Sequence, residues 1–218
     1  MTPKERVEHA QSALKVFPLP SVVLFPGTVQ PLHIFEPRYR ELLKDALATD
    51  GVMALTQLEP TFEEGDASRP RLVPTCCAGI ILWHEELEDG RFNIVLQGIT
   101  RARIDTERPP TRLYREVHAT VMPDPPYQGP KEEQLRQGLF ELAARLPDHV
   151  AQSLLQAVSR ARGGALADVV AGAVVAEVER RQALLEELDV DRRLDEVLMD
   201  VGELIARLVP VKFGKLLN

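Results

Sequence analysis

Side chains that could bind a metal ion are present in this sequence but scattered. The five histidines show neither an H-E-x-x-H motif nor the paired spacing of a zinc site. They are His9, His33, His84, His118 and His149. The run His84-Glu85-Glu86 comes nearest to a ligand cluster, but neighbouring side chains on a strand point to opposite faces. We therefore predict a solvent-exposed hairpin end at this run and no metal site.

Thiol chemistry rests on Cys76 and Cys77, the only cysteines, which are adjacent. A structural zinc site uses four ligands in spaced pairs, so two neighbouring thiols do not make one. Strand geometry would direct one thiol inward and the other outward. Core packing is the preferred interpretation and a redox pair is the alternative. No disulfide is expected in a reducing compartment.

Motifs for nucleotide or serine catalysis are missing. The sequence has no G-x-x-x-x-G-K-[ST] loop to hold phosphates, and none of its serines lies in G-x-S-x-G. Ser12 and Lys15 spell S-x-x-K, but the partner motifs S-D-N and K-T-G are lacking, so we interpret the match as chance. The sequence predicts no enzymatic activity and no cofactor.

The charge balance limits the classes of partner. A net charge of −7 and an isoelectric point near 5.3 argue against a general phosphate-backbone binder, which needs clustered Lys and Arg. Residues 91–115 contain six arginines and could contact RNA, although only Phe92 and Tyr114 are available there for base stacking. Nucleic acid is therefore not expected, and RNA binding is kept as an alternative function.

Membrane association and export are also not expected. No apolar run approaches the roughly 20 residues that a membrane-spanning helix needs. The N-terminal residues are charged and lack the apolar centre of a signal peptide. We expect a cytoplasmic protein with no membrane partner.

Residues 22–40, which we call the FPG segment, organise the predicted fold. Residues 22–25 form an apolar, β-branched run typical of a buried strand, and Pro26-Gly27 predicts a turn after it. A second strand is predicted over residues 31–35. Pro37 is suited to the first position of a helix, which the apolar spacing extends over residues 37–49.

The rest of the chain divides by composition. Residues 1–14 are polar and predicted to be a flexible segment or a short surface helix. Short strands with Gly and Pro turns over residues 15–122 indicate a small β-barrel. Four prolines in residues 123–130 mark a stiff linker. Residues 131–218 follow helical spacing and end in a long helix, whose short heptad seam favours a monomer or a weak homodimer.

The FPG segment also carries a resemblance to a known family. The run LFPGTVQPLHIFEPRYRELL resembles the opening of the Lon substrate-binding domain, the N-terminal domain of ATP-dependent Lon proteases, and is closest to its free-standing and cereblon-like members. GRFNIVLQGITRARI and LLEELDVDRRLDEVL resemble two later passages of the same family. The resemblance implies an α+β fold, a PUA-like β-barrel followed by a helical bundle, in agreement with the pattern of strands and helices.

The resemblance also sets the functional expectation. Complete Lon proteases, peptidase family S16, continue into an ATPase and a Ser-Lys peptidase, whose motifs do not occur before Asn218. We expect a stand-alone, non-enzymatic module that recognises unfolded or tagged polypeptide in protein quality control, with a protease or chaperone as a further partner. The alternative is an RNA- or small-ligand-binding PUA-like module.

The candidate polypeptide-binding residues are taken from the FPG segment, because binding energy concentrates in a few apolar and aromatic side chains. A less specific interpretation of Glu36, Arg38 and Tyr39 is a charged helix start beside a core tyrosine. The full candidate set is Phe25, Pro26, Pro31, His33, Phe35, Glu36, Arg38 and Tyr39.

Overall fold

A computed structural model describes residues 1–59 and 70–208. Helix α1 spans Pro3–Ala10 and continues into a 3-10 helix, Gln11–Ala13. A capping box closes its start, because the Thr2 hydroxyl accepts from the Glu5 N–H and the Glu5 carboxylate accepts from the Thr2 N–H. Val7 and Ala10 are buried against the barrel. Of the two alternatives predicted for residues 1–14, the structure has the short helix, which packs an apolar face onto the barrel.

Five strands close into a barrel, and a sixth strand lies outside the ring. The ring follows the order β5-β4-β3-β1-β6 and closes through the pairing of β5 with β6. Within residues 1–59 and 70–208, β1 with β3 is the only parallel pair of strands. The predicted α+β barrel is confirmed. The strands are β1 Leu14–Pro18, β2 Val29–Ile34, β3 Val52–Thr56, β4 Thr75–Glu86, β5 Phe92–Glu107 and β6 Arg115–Met122.

Strand β5 holds the sheet together because it pairs with β4 along one edge and is long enough to pair with two further strands along the other. Its first half pairs with β2 and its second half with β6. Gly98 lies at the change of partner, where a Cβ atom would overlap the carbonyl oxygen of Phe25. Gly98, which has no side chain, lets one continuous strand pass close to another backbone there.

Residues 22–25 are not a strand, which corrects a prediction. Val23, Leu24 and Phe25 are buried, but no strand pairs with them. The segment is held at its end, where the Thr28 hydroxyl donates to the Phe25 carbonyl over 2.8 Å and Gly27 takes a φ of +80°. A short apolar run is equally suited to a buried irregular segment and to a strand.

Helix α2, Pro37–Ala48, packs Leu42, Leu43 and Ala46 onto the barrel core. It begins at Pro37, as predicted from the sequence. Arg38 and Tyr39 lie on the first turn of this helix, a few residues after the end of β2.

Five further helices follow the proline-rich residues 123–130. They share one continuous core with the barrel, in which Phe25 and Leu96 belong to the same cluster as Leu139 and Val197. The helical prediction is therefore confirmed as far as residue 208, and its last ten residues lie outside the described part. The helices are α3 Lys131–Ala143, α4 Asp148–Val158, α5 Gly163–Val174, α6 Val178–Glu186 and α7 Val190–Leu208.

A buried charge cluster joins the barrel to these helices. Arg101 of β5 donates to both carboxylate oxygens of Asp168 on α5, over 2.8 and 2.6 Å. Arg193 of α7 donates to Asp124, within the proline-rich stretch, and to the carbonyl of Glu187. The predicted linker is thus anchored by its own carboxylate between the two parts that it connects.

Candidate functional site

A groove of about 580 Å³ opens beside the FPG segment. We call it the front groove. Its walls come from three stretches, residues 17–20, 32–39 and 110–115, together with Leu58 and Pro70. These stretches meet because β1, β2 and the loop before β6 end at the same side of the barrel. Most of the lining side chains are apolar, aromatic or proline, as in pockets that bind organic ligands and peptide segments.

The floor and the rim of the front groove differ in exposure. Phe17 and Tyr39 are buried and their rings pack at 4.2 Å between centroids, forming a rigid floor. Phe35 and Leu113 stand at the rim, with 58% and 65% of their surface exposed. Exposed large apolar side chains next to a concave surface are typical of interaction sites.

Five of the predicted site residues line this groove. They are His33, Phe35, Glu36, Arg38 and Tyr39. The two charged ones form an ion pair, because the Arg38 guanidinium lies 2.8 Å from the Glu36 carboxylate. Arg38 also lies over the Tyr39 ring, 4.5 Å from its centroid, a cation–π contact that holds the guanidinium beside the floor.

The other three predicted residues lie elsewhere. Phe25 is fully buried in the core. Pro26 lines a second cavity, of about 850 Å³, at the junction of barrel and helices. Pro31 is exposed on the outer face of the sheet, in a cross-strand row with Val95 and Trp83. Proximity in the sequence placed these residues in one set, but strand alternation and the turn separate their side chains.

Among the groove residues that were missed as site candidates, several belong to one distant loop. Leu113, Arg112 and Tyr114 come from the loop before β6, which is more than seventy residues away from the FPG segment in the sequence. Their one sequence signal is an apolar residue shortly after Pro109-Pro110, where a turn would leave it exposed. Their position opposite Phe35 depends on barrel closure, which no local pattern encodes.

The charge of the front groove differs in sign from that of the whole chain. Its lining contains three guanidinium groups and one carboxylate, whereas the chain carries −7. Arg112 is 3.5 Å from Asp45, and Arg115 is bound to Glu107 and donates to the Pro70 carbonyl over 2.7 Å. The side chains of Arg38 and Arg112 remain about half exposed, so they can meet a carboxylate on a ligand.

The titratable groups of the groove floor stay protonated at neutral pH. Burial raises the pKa of the Tyr39 phenol. Burial also raises the pKa of Tyr114, and the hydrogen bond that its hydroxyl donates to Asp45, over 2.8 Å, acts in the same direction. The Tyr114 hydroxyl is a hydrogen-bond donor and the Tyr39 ring is a packing surface, and neither phenol is an activated nucleophile.

The two thiols lie inside the barrel wall. Burial raises the pKa of Cys76 to about 12 and that of Cys77 as well. A thiol that remains protonated is unreactive. In residues 1–59 and 70–208 no group of three or more His, Cys, Asp or Glu side chains could hold a metal ion. Over the same residues, no helix is both long and apolar enough to cross a membrane.

The family whose model is described as the ATP-dependent protease La (LON) substrate-binding domain matches residues 13–200. The chain belongs to the Lon substrate-binding domain family. It is 26% identical over 203 residues to the Lon protease of Rhizobium meliloti, a match that covers 91% of this chain and 25% of that protein. It is 30% identical to the Lon protease of Roseiflexus castenholzii, over 85% of this chain and 23% of that protein.

The chain thus spans about a quarter of the length of these curated Lon proteases. Solved structures agree on the fold. The N-terminal domain of Mycobacterium avium complex Lon protease superposes with a TM-score of 0.69 at 20% identity, covering 88% of this chain and 99% of that one. A Lon N-terminal domain protein from Xanthomonas campestris gives 0.64 at 22% identity, covering 86% and 98%. The resemblance read from the FPG segment is confirmed.

Proposed function

We propose that this Lon substrate-binding domain chain is a non-enzymatic recognition module that binds exposed or unfolded polypeptide segments in the front groove. In this role it serves as an adaptor or sensor in protein quality control, with a protease or chaperone as a further partner. The observation that carries the proposal is the pairing of two exposed rim side chains, Phe35 and Leu113, above a rigid aromatic floor.

The energetics of the rim favour an apolar ligand. Fully burying an exposed Phe or Leu side chain stabilises a complex by about 1.5–3 kcal/mol. The floor does not have to rearrange, since Phe17 and Tyr39 are already packed. A preorganised site loses little free energy to ordering when a ligand binds.

The absence of catalysis is supported by the chemistry of the site. The buried thiols and phenols carry raised pKa values, so they are not activated nucleophiles. The sequence matches lie in the region that the family description calls substrate-binding.

RNA binding is disfavoured by the arginines that suggested it. All six in residues 91–115 lie within an ion-pair distance of a carboxylate, for example Arg91 with Asp89 at 2.6 Å and Arg103 with Asp105 at 3.1 Å. The remaining pairs are Arg101 with Asp168, Arg108 with Glu116, Arg112 with Asp45 and Arg115 with Glu107. Guanidinium groups dispersed among carboxylates in this way do not form the clustered positive surface that a phosphate backbone needs. A half-exposed guanidinium such as that of Arg112 can still donate to a single carboxylate.

The test is a fluorescence anisotropy titration of a labelled, unfolded, apolar-rich peptide into the full chain. Phe35→Ala and Leu113→Ala should each weaken binding about fivefold or more, as expected for hot-spot truncations. Phe140→Ala is the matched control, because Phe140 is 62% exposed on α3 and does not line the groove. Equal affinities for Phe35→Ala and Phe140→Ala would contradict the proposal.

Two further readouts locate any binding that occurs. Trp83 is the single tryptophan of the chain and lies outside the front groove. A peptide that alters Trp83 emission and binds less well to Trp83→Ala would move the site to the outer face of the sheet. Binding of a short RNA that falls steeply with salt, with no binding of peptide, would support the alternative function.

A further inference from the structure

Strand β2 has an open edge. It pairs with β5 from Val29–Gln97 to Ile34–Phe92, and it is the terminal strand of the sheet order among the described residues. Such an edge presents unpaired backbone N–H and C=O groups that can pair with another chain. Natural proteins often protect an edge with lysine, but β2, Val-Gln-Pro-Leu-His-Ile, has no charged residue.

The register shows which backbone groups face outward. Gly98 donates its N–H to the Thr28 carbonyl over 2.9 Å, so ladder bonds to β5 fall on residue 28 and on every second residue after it. The alternate residues Val29, Pro31 and His33 therefore turn their backbone groups to the open edge. Pro31 agrees with this assignment, because a proline is tolerated where its missing N–H faces away from the partner strand.

The Pro31 carbonyl, one of the outward-facing backbone groups, is accessible to a hydrogen-bond donor. The Pro31 carbonyl accepts a hydrogen bond from the exposed side-chain amide of Gln30 over 3.1 Å. An incoming peptide N–H can replace this local donor. The edge thus offers carbonyls at residues 29, 31 and 33 and N–H groups at Val29 and His33.

The C-terminal end of the open edge, at His33, borders the front groove. Leu32 and His33 both line the groove, although consecutive residues point to opposite faces of a strand. The groove therefore contacts this end of β2 from both of its faces, so a strand added at the edge would reach the groove at His33. The half-exposed Arg38 and Arg112 line the same groove and complement an acidic group on the occupant.

We propose that the front groove receives polypeptide as an extended strand added to the edge of β2, with an acidic side chain of that segment bound by Arg38 and Arg112. Alternate side chains of the added strand would pack against Phe35 and Leu113. This inference rests on the proposed function and adds to it the conformation and the chemical class of the substrate. Pro31 removes one edge donor and so favours a short docked segment over open-ended sheet growth.

The first test changes the peptide and leaves the protein intact. Two peptides of one sequence, apolar at alternate positions and with one Asp, are N-methylated on one or the other alternate set of amides. The peptide methylated on the amides that face β2 should bind about fivefold or more weakly than the parent peptide, because each lost backbone hydrogen bond weakens a complex. The peptide methylated on the other amides should bind as the parent does. Equal effects of the two sets would overturn strand addition.

The second test removes an edge donor from the protein. His33→Pro deletes the outward N–H, and His33→Ala keeps this N–H while removing the imidazole. We expect His33→Pro to bind the parent peptide several-fold more weakly than His33→Ala, with thermal unfolding confirming that both fold. If His33→Pro does not fold, the N-methylated peptides still decide the proposal.

The third test addresses the acidic group. The parent peptide should bind more tightly than its Asp→Asn form, and this difference should shrink in Arg38→Gln/Arg112→Gln. An unchanged difference would overturn the charge assignment. The failures are distinguishable, because strand addition fails when peptide binds without regard to N-methylation. The proposed function itself fails when no polypeptide binds.

Discussion

At the scale of single residues, position in the fold decides what a charge does. Arg101 and Asp168 meet between the barrel and the helices, each with 1% of its side chain exposed. Arg38 and Glu36 also form a close pair, at 2.8 Å, but at the rim of the front groove, where water screens it. The buried pair fixes the position of the helices, whereas the rim pair can exchange partners with a ligand.

Asp168→Ala should destabilise the fold strongly. It leaves Arg101 and Arg193 buried with less compensation, and breaking a buried pair from one side costs about 3–5 kcal/mol. Urea unfolding measures the loss. Asp89→Ala breaks an exposed pair with Arg91 and should change stability little. Equal losses in the two variants would contradict the assigned role of Asp168.

The stability contributed by a second carboxylate, that of Asp191, should depend on pH. Asp191 accepts hydrogen bonds from Lys131, at 2.5 Å, and from the Tyr127 hydroxyl, at 2.8 Å, and these lower its pKa in the folded state. Its contribution to stability is therefore present above the unfolded pKa, about 3.9, and is lost as pH falls through the lower folded value. Asp191→Asn should be less stable than the parent at pH 7, with the difference vanishing in acid.

Unfolding curves at a series of pH values measure this effect. Glu88→Gln, a change at an exposed position in the turn after β4, is the control and should leave the pH dependence unaltered. An Asp191→Asn curve parallel to the parent curve down to acid pH would argue against this assignment.

At the scale of elements, prolines and changes of residue pattern predicted the starts of helices most reliably. Pro37 placed the start of α2, and the change of pattern at residue 131 placed the start of α3. The run at residues 22–25 was misjudged as a strand, since apolarity reports burial and does not report a ladder partner. The candidate site could be predicted only in part from the sequence. Phe35 followed from the motif, whereas Leu113 is brought next to Phe35 only by barrel closure.

Gly98 supports the longest strand, and its substitution should show this. In Gly98→Ala the new Cβ would meet the Phe25 carbonyl and approach the Cys77 sulfur to 3.0 Å, so we expect a loss of about 1–3 kcal/mol. Gly202→Ala is the control, because no atom lies within 4 Å of its added Cβ and alanine favours the helix. Thermal unfolding should rank Gly202→Ala at or above the parent. A neutral Gly98→Ala would contradict the close approach.

At the scale of the whole molecule, the barrel and the helices pack against each other through a shared core. Residues of both contribute to a single core cluster, and the proline-rich stretch between them is tied down through Asp124 and Tyr127. The break in composition at residues 123–130 therefore marks a change in type of secondary structure. It does not mark a boundary between parts that pack independently.

The net charge of the whole chain is negative and that of the front groove lining is positive, so the two act differently on the association and on the dissociation of a ligand. A net charge of −7 repels an acidic segment at long range, while Arg38 and Arg112 attract it at contact. Salt of physiological strength limits long-range fields to about 8 Å, so it weakens the repulsion most. Added salt should therefore raise the association rate constant of such a segment while it shortens the lifetime of the complex.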